Sequence, residues 1–235
     1  MYALQVALDV LSIEDALTVA EEAVAGGANW LEVGTPLIKN HGMTAVKTLK
    51  GAFPKTVVVA DMKTMDTGDL EVEIAAKNGA DVVCVLGLAQ DMTIKRAVNS
   101  ASAHGVKIMA DLIGVENKLK RARELEGLGV DFVLVHTPLD VQRVMLEKVD
   151  AALQDLEELI KKVEVPVAAA GGITLETAPL LKKAGVSIFV VGRALTKAKD
   201  VTGTTRRFCK IIGIKTEARE EKTPSLEVMI EEFEA

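Results

Sequence analysis

Charged side chains interrupt the apolar runs of this chain at recurring places. Asp9 closes the run 4–8, and Glu32 stands between Leu31 and Val33 in the run 30–33. Asp61 and Lys63 end the run that starts at 56, with Asp66 three residues beyond. Asp111 lies in the run 107–112, and His136 ends the run 131–135. The last two runs, 166–170 and 187–191, lead into Gly171-Gly172 and Gly192-Arg193. A buried, isolated carboxylate is costly or takes up a proton. Asp9, Glu32, Asp61 and Asp111, with a lysine and a histidine, gathered at one place therefore need one another, a metal ion or a ligand. An ionic network that merely plugs the interior is the bland alternative, but a plug seldom needs so many ionisable groups at one end.

The residue types narrow the chemistry. Strand residues two apart point the same way, so Asp61 and Lys63 share a face with Met62 on the other. Such a pair can hold a metal or a base beside an oxyanion stabiliser. Glu32 and Asp61 fall on adjacent strands, and two hard oxygen ligands with coordination positions left open suit Mg²⁺. Nothing suits zinc: Cys84 and Cys209 are far apart, and His41, His104 and His136 are dispersed. Glycines at 171, 172 and 192 let the backbone approach an anion closely, and Arg193 can pair with phosphate oxygens. Paired glycines can be tight turns alone; two such turns on consecutive strands favour a phosphate site.

The elements that must position these groups are legible as a period. The eight runs are rich in Val, Ile, Leu and Ala and nearly continuous, as strands buried on both faces of a parallel sheet are. Between them lie amphipathic stretches; Ser12 is placed to cap the first, and Gly79, Gly105, Gly129 and Gly185 end later ones. Eight strand–helix units with no all-α or all-β block predict an α/β chain folded as a (β/α)8 TIM barrel, with the charged groups at the C-terminal strand ends where barrel active sites are built. Periodicity does not show that strand eight pairs with strand one. The barrel is expected over residues 1–214. A single long helix is expected over 141–163. Residues 215–235 read as a charged linker and an amphipathic C-terminal helix, with Leu226, Met229, Ile230 and Phe233 on one face. The net charge of −6 argues against a nucleic-acid-coating surface. No signal peptide or membrane span is read, so the expected location is the cytoplasm.

The strings Leu4-Gln-Val-Ala-Leu-Asp9, Glu32-Val-Gly-Thr-Pro-Leu-Ile38, Ala60-Asp-Met-Lys-Thr-Met-Asp66, Ala110-Asp-Leu-Ile-Gly114, Val135-His-Thr137, Ala170-Gly-Gly-Ile173 and Val191-Gly-Arg193 resemble the 3-hexulose-6-phosphate synthase family. That family belongs to the orotidine-monophosphate-decarboxylase-like group of barrels. The resemblance implies a Mg²⁺-dependent aldolase joining formaldehyde to ribulose 5-phosphate, or cleaving the phosphorylated hexulose in reverse, through an enediolate. It implies Mg²⁺ on Glu32 and Asp61, Lys63 on the enediolate oxygen, and His136 moving protons. Asp9 and Asp111 would meet substrate hydroxyls, and Gly171, Gly172, Gly192 and Arg193 the phosphate. Asp66 would reach the neighbouring subunit's site in a homodimer with shared active sites. The sister 3-keto-L-gulonate-6-phosphate decarboxylases share the scaffold, but carry an arginine three residues after the histidine, where this chain has Leu139. His136-Thr-Pro-Leu-Asp140 also departs from the Gly-Tyr-Asp that usually follows the synthases' His-Thr. Another phosphosugar lyase and a non-catalytic phosphosugar-binding paralogue are the remaining alternatives.

Overall fold

Apolar runs too continuous to leave one face in water form the strands β1 (Ala3–Leu8), β2 (Trp30–Val33), β3 (Val57–Thr64), β4 (Val82–Leu86), β5 (Lys107–Asp111), β6 (Phe132–His136), β7 (Val167–Ala170) and β8 (Ile188–Val191). The structure, a computed structural model, describes residues 2–138, 140 and 149–215. Each strand pairs in parallel with the next, and β8 pairs with β1 from Ala3↔Ile188 to Val6↔Val191. The ring is closed, which periodicity left open.

Around it lie α1 (Ile13–Ala25), α2 (Thr35–His41), α3 (Thr44–Ala52), α4 (Gly68–Lys77), α5 (Asp91–His104), α6 (Lys118–Gly127), α7 (Val149–Ile160), α8 (Ala178–Ala184), α9 (Arg193–Thr196) and α10 (Val201–Ile212). The Ser12 side chain accepts the Asp15 N–H at 3.1 Å, capping α1 as expected. Strand residues alternate between two cores. Leu4, Val6, Leu8, Leu31 and Val33 face the helices, while Ala3, Ala7, Val59, Met109, Leu134 and Ile188 fill the barrel. Trp30 and Phe132, the first residues of β2 and β6, meet edge-on at 5.4 Å and pack against this interior layer at its N-terminal end. The barrel is thus stoppered at one end, and polar groups reach its interior from the other.

Most strand ends differ by a residue from the apolar runs, the fourth of which is 81–86, and three of the departures have a visible cause or consequence. Asp81 and Asp131 stand just outside β4 and β6, because their carboxylates do another task. Asp81 accepts the Val58 N–H at 2.7 Å and Asp131 the Ile108 N–H at 2.9 Å. Lys50 pairs with the first and Lys107 with the second, each at 2.7 Å. Asn29, ahead of β2, does the same for Leu4 N–H at 2.9 Å. A side chain just before β2, β4 and β6 therefore takes the N–H of the second residue of the strand before it. The third departure is β3, which runs four residues past Ala60 to Thr64 and carries Asp61 and Lys63 within it.

The helix expected over 141–163 is described from Val149 and ends at Ile160, short of Val163. Lys162 N–H bonds to Leu159 O, tightening the last turn, and Glu126 Oε1 takes the Glu164 and Val165 N–H groups at 2.5 and 2.9 Å. Pro166 follows, and the residue before a proline is biased away from helix. The start of that helix and the C-terminal helix expected over 224–233 lie outside the described residues. Among the described residues no helix is long and apolar enough to cross a membrane.

Candidate active site

Alternation sends every second residue into the barrel, and near the C-terminal strand ends those positions become polar. On β2 the inward series is Trp30 then Glu32; on β3 it is Val57, Val59 and Asp61; on β5, Met109 then Asp111; on β6, Phe132, Leu134 and His136. Glu32, Asp61 and Asp111 are all buried, Asp111 completely.

Lys63 reaches the same face by a route that strand alternation does not describe. Its φ is 48°, in the left-handed region that a non-glycine residue rarely enters, and the β3–β4 register shifts between Ala60 and Thr64. The result places Nζ 2.6 Å from Asp61 Oδ2 and 3.9 Å from Asp111 Oδ2. The Thr35 hydroxyl, on the first turn of α2, donates to Asp61 from 2.7 Å to Oδ2 and 2.8 Å to the main-chain oxygen. Asp111 holds two further donors: Ile113 N–H on Oδ1 at 2.9 Å and His136 Nδ1–H on Oδ2 at 2.8 Å. A carboxylate only accepts, so this bond puts the imidazole hydrogen on Nδ1 and leaves Nε2 as the basic nitrogen. Glu32 is met from the interior by Gln5, whose Nε2 donates to Oε2 at 2.6 Å.

Asp9 stands at the mouth between two glycines. A Cβ on Gly34 would lie 2.3 Å from Asp9 Oδ1, so no larger residue fits there; a Cβ on Gly192 would lie 3.6 Å from Oδ2. Gly192 opens the short helix α9, whose first residue Arg193 is exposed. Gly171 has φ of 97°, and a Cβ there would fall 2.2 Å from Thr137 O, so strands six and seven can close together at this point only with glycine. Gly172 follows, also at positive φ. Asp66 is exposed on the loop after β3, its Oδ1 accepting the Thr67 N–H at 2.7 Å, and stands apart from the bonded cluster.

The charges are poorly balanced. Burial holds Glu32 well above the ordinary carboxylate range, and Asp61 and Asp9 push it further; the Gln5 bond and Lys63 only partly oppose them. Burial and Asp61 likewise raise Asp9. For Lys63, burial alone would lower the pKa, but Asp61 and Asp111 outweigh it and raise the group, so it remains an ammonium. Cys84, inside the barrel wall, is pushed well up by burial and then by Asp61, Glu32 and Asp111; it stays a thiol and is no nucleophile.

The structure therefore joins Asp61, Lys63, Asp111 and His136 in one bonded cluster, sets Glu32 and Asp9 within electrostatic reach of it, and gathers the glycine turns at the same strand ends. Gln5, Thr35 and Gly34 were missed. Gln5 carried a signal, since it shares the inward parity of Asp9 within a run of apolar residues. Thr35 and Gly34 act through contacts that only the folded chain creates. Among the described residues no three or more His, Cys, Asp or Glu side chains form a ready-made metal cage.

Comparison with known proteins agrees with this arrangement. Residues 2–208 match the Orotidine 5'-phosphate decarboxylase / HUMPS family. A 3-hexulose-6-phosphate synthase from Mycobacterium gastri is 45% identical over 197 residues, spanning 84% of this chain and 93% of that one. A crystal structure of 3-hexulose-6-phosphate synthase superposes with a TM-score of 0.83 at 42% identity, covering 89% of this chain and 99% of the other. A 3-keto-L-gulonate-6-phosphate decarboxylase from Vibrio cholerae O1 biovar El Tor gives a TM-score of 0.79 at 27% identity, covering 90% and 97%. With its barrel closed, its mouth lined as described and these likenesses spanning most of its length, the chain belongs to the orotidine 5'-phosphate decarboxylase/HUMPS family, on its 3-hexulose-6-phosphate synthase side.

Proposed function

We propose that the chain is a cytoplasmic carbon–carbon lyase of the aldolase type that joins formaldehyde to ribulose 5-phosphate, or runs the reverse cleavage, through a 1,2-enediolate. The observation that carries this reading is the bonded series Asp61–Lys63–Asp111–His136 at the barrel mouth. It sets an ammonium and an oriented imidazole side by side, as enediolate chemistry requires. The relatives' names supply the substrates.

The residues fit a divalent ion. Glu32, Asp61 and Asp9 repel one another, and the ammonium of Lys63 is already committed to Asp61. Such a surplus of hard oxygen donors suits Mg²⁺, with Glu32 and Asp61 to hold it and the remaining positions left to water and substrate. When bound, the ion would supply Lewis-acid stabilisation of negative charge on the substrate oxygens.

The chain's own groups account for the proton movements. His136, held through Nδ1 by Asp111, takes the C1 proton of ribulose 5-phosphate at Nε2. The electron pair passes to the C2 oxygen, where the Lys63 ammonium stabilises it. C1 of the enediolate then attacks the formaldehyde carbon. The new C–C bond forms as the carbonyl electrons move to the aldehyde oxygen, which takes the proton back from His136. No Schiff base is needed, and an ammonium kept charged by Asp61 and Asp111 is unsuited to forming one. Asp9 would meet a substrate hydroxyl at the mouth, and Asp111 would do so beside the Ile113 N–H and His136 bonds it already holds. Backbone N–H groups around Gly171, Gly172 and Gly192, with Arg193, would hold the phosphate.

A homodimer with shared sites is part of the proposal. Asp66 is exposed beside Met65, while Leu70 and Ile74 on α4 and Met92 on α5 are also exposed large hydrophobics. Helices α4 and α5 are packed together, tied by Arg96 to Asp69 and by Ser100 to Asp69 O. An exposed set of this size beside an acid that stands outside the cluster supports an interface there.

The test is consumption of formaldehyde in the presence of ribulose 5-phosphate, with Mg²⁺ and with excess chelator. Consumption that chelation abolishes is expected. Full activity in chelator would remove the metal role. Release of carbon dioxide from 3-keto-L-gulonate 6-phosphate in place of condensation would favour the decarboxylase reading, and sugar phosphate binding without turnover of either kind would favour a binding paralogue.

A further inference from the structure

Gln5 is the one polar side chain of the β1 inward series, between Ala3 and Ala7. It is completely buried, its Nε2 is given to Glu32 Oε2 at 2.6 Å, and its Oε1 has no hydrogen-bond partner among the described residues. A buried carboxamide with an unmet acceptor costs stability. The positions in register with it, Trp30 and Val190, and Ala3 and Ala7 on its own strand are apolar, so packing alone would be better served by an apolar residue at 5.

What the amide does accomplish is local to Glu32. Register places Ala7 opposite Glu32 and Gln5 opposite Trp30, so Gln5 lies deeper in the barrel than the carboxylate it binds. Asp61 is steadied by Thr35 and Lys63, and Asp111 by Ile113 N–H and His136. For Glu32, the matching contact among the described residues is the Gln5 amide.

We propose that Gln5 is a positioning residue for Glu32, anchoring Oε2 from the interior side so that the other carboxylate oxygen is presented to a divalent cation at the mouth. The proposal rests on the metal reading of the site. A ligand carboxylate whose second oxygen is fixed need not lose its side-chain freedom when the ion arrives. Partners of this kind are worth on the order of 10–100-fold in metal affinity. The unmet Oε1 is the cost accepted for that orientation.

The experiment measures binding of Mn²⁺ alone to the full chain, by electron paramagnetic resonance and without substrate. Mn²⁺ is an oxygen-preferring stand-in for Mg²⁺. Gln5→Met keeps the volume and removes both polar atoms; Gln5→Asn keeps the amide but withdraws it by one methylene, and serves if the first variant fails to fold. Either variant should weaken Mn²⁺ binding by a factor on the order of 10 or more. The melting temperature in chelator should stay level or rise, and KM for the sugar phosphate at saturating metal should not change. In a Glu32→Ala background Gln5→Met should weaken Mn²⁺ binding no further, because the two act as a unit. Unchanged Mn²⁺ affinity in a folded variant overturns the role of Gln5 while leaving the metal site standing. A wild-type chain that takes up no Mn²⁺ overturns the metal reading itself, and the role of Gln5 with it.

Discussion

Replacing Glu32 with glutamine should stabilise the chelator-treated protein, and the gain should grow with pH. At acid pH the Glu32 carboxyl is protonated in both folded and unfolded chains, so the substitution changes little. Above about 4.3, the ordinary glutamate value, the unfolded chain gives up this proton. The folded chain keeps it, because burial, Asp61 and Asp9 hold the group well above that range. The folded state then binds more protons than the unfolded one, and stability falls as pH rises until the folded-state pKa is passed. Each unit of separation is worth about 1.4 kcal/mol, and a chain of this size shifts its melting temperature by about 2–4 °C per kcal/mol. Within the window the difference between variant and wild type should therefore widen by roughly 3–5 °C per pH unit. Glutamine keeps the shape and can still accept the Gln5 amide. Asp9 is raised in the same direction, but it is exposed at the mouth, where solvent screens the effect, so little slope should remain in the variant. Lys63, raised as a base, loses its contribution only as pH climbs through its own folded value, above this window. The assay is differential scanning calorimetry of both proteins in chelator at a series of pH values. Parallel curves, or a variant less stable than wild type at alkaline pH, would refute the claim that the Glu32 charge is uncompensated.

Other substitutions should separate the roles at the mouth. Asp61→Ala or Lys63→Ala should lower kcat by a factor on the order of 10² or more, since each removes a preorganised contact to developing charge; retention of wild-type kcat would remove that role. Arg193→Ala should act mainly through KM for the phosphorylated sugar, by about 1.5–3 kcal/mol for a lost charged hydrogen bond, and an unchanged KM would undo the phosphate assignment. Mixing inactive Asp66→Ala with inactive Lys63→Ala should restore part of the activity through hybrid sites, whereas a mixture that stays inactive despite proven subunit exchange contradicts sharing across a dimer.

Much of the fold was legible because a strand buried on both faces cannot disguise itself. Val82 to Leu86 and Ile188 to Val191 have no polar residue to offer water, and the helices between them stop at glycines as read. The acids were legible for the complementary reason: in such a run a charge is conspicuous, and Glu32, Asp61 and Asp111 all proved inward-facing and buried. What stayed hidden depended on the closed ring. Asp81 and Asp131 look like the first residues of strands; their bonds to Val58 and Ile108 exist only once neighbouring strands are in register. Lys63 gives no local sign of a left-handed backbone, because nothing in Asp-Met-Lys-Thr calls for one; the irregularity shows only where β3 is paired with β4 and the register shifts between Ala60 and Thr64. Alternation reached the correct partner for Lys63 through an incomplete geometry. Gln5 was visible by parity with Asp9, but a glutamine inside an apolar run is easily passed over.

The two ends of the barrel use polar groups in opposite ways, and this explains why chemistry is possible at one of them. At the N-terminal end Asn29, Asp81 and Asp131 each hold a main-chain N–H, and lysines neutralise the two acids. Those groups are satisfied when the chain folds and have nothing left to offer a ligand; their loss should show in stability. At the C-terminal end the same apolar interior that fills the barrel withdraws solvent from Glu32, and the backbone that brings Asp61 near Asp9 adds repulsion. One layer deeper, beneath Glu32, the Gln5 acceptor has no partner among the described residues. Folding leaves that end short of positive charge and hydrogen-bond donors. A species supplying them binds the folded chain and not the unfolded one, so it must stabilise the fold by mass action. On the proposed function a divalent cation would meet the deficit at Glu32 and Asp61, and hydroxyls of a sugar phosphate would meet it at Asp9, while the backbone donors around Gly171, Gly172 and Gly192, with Arg193, would take the phosphate. The proposed division of the substrate follows from this imbalance: the anionic group goes where the backbone donors are, and the reacting hydroxyketone goes where the carboxylates lack partners.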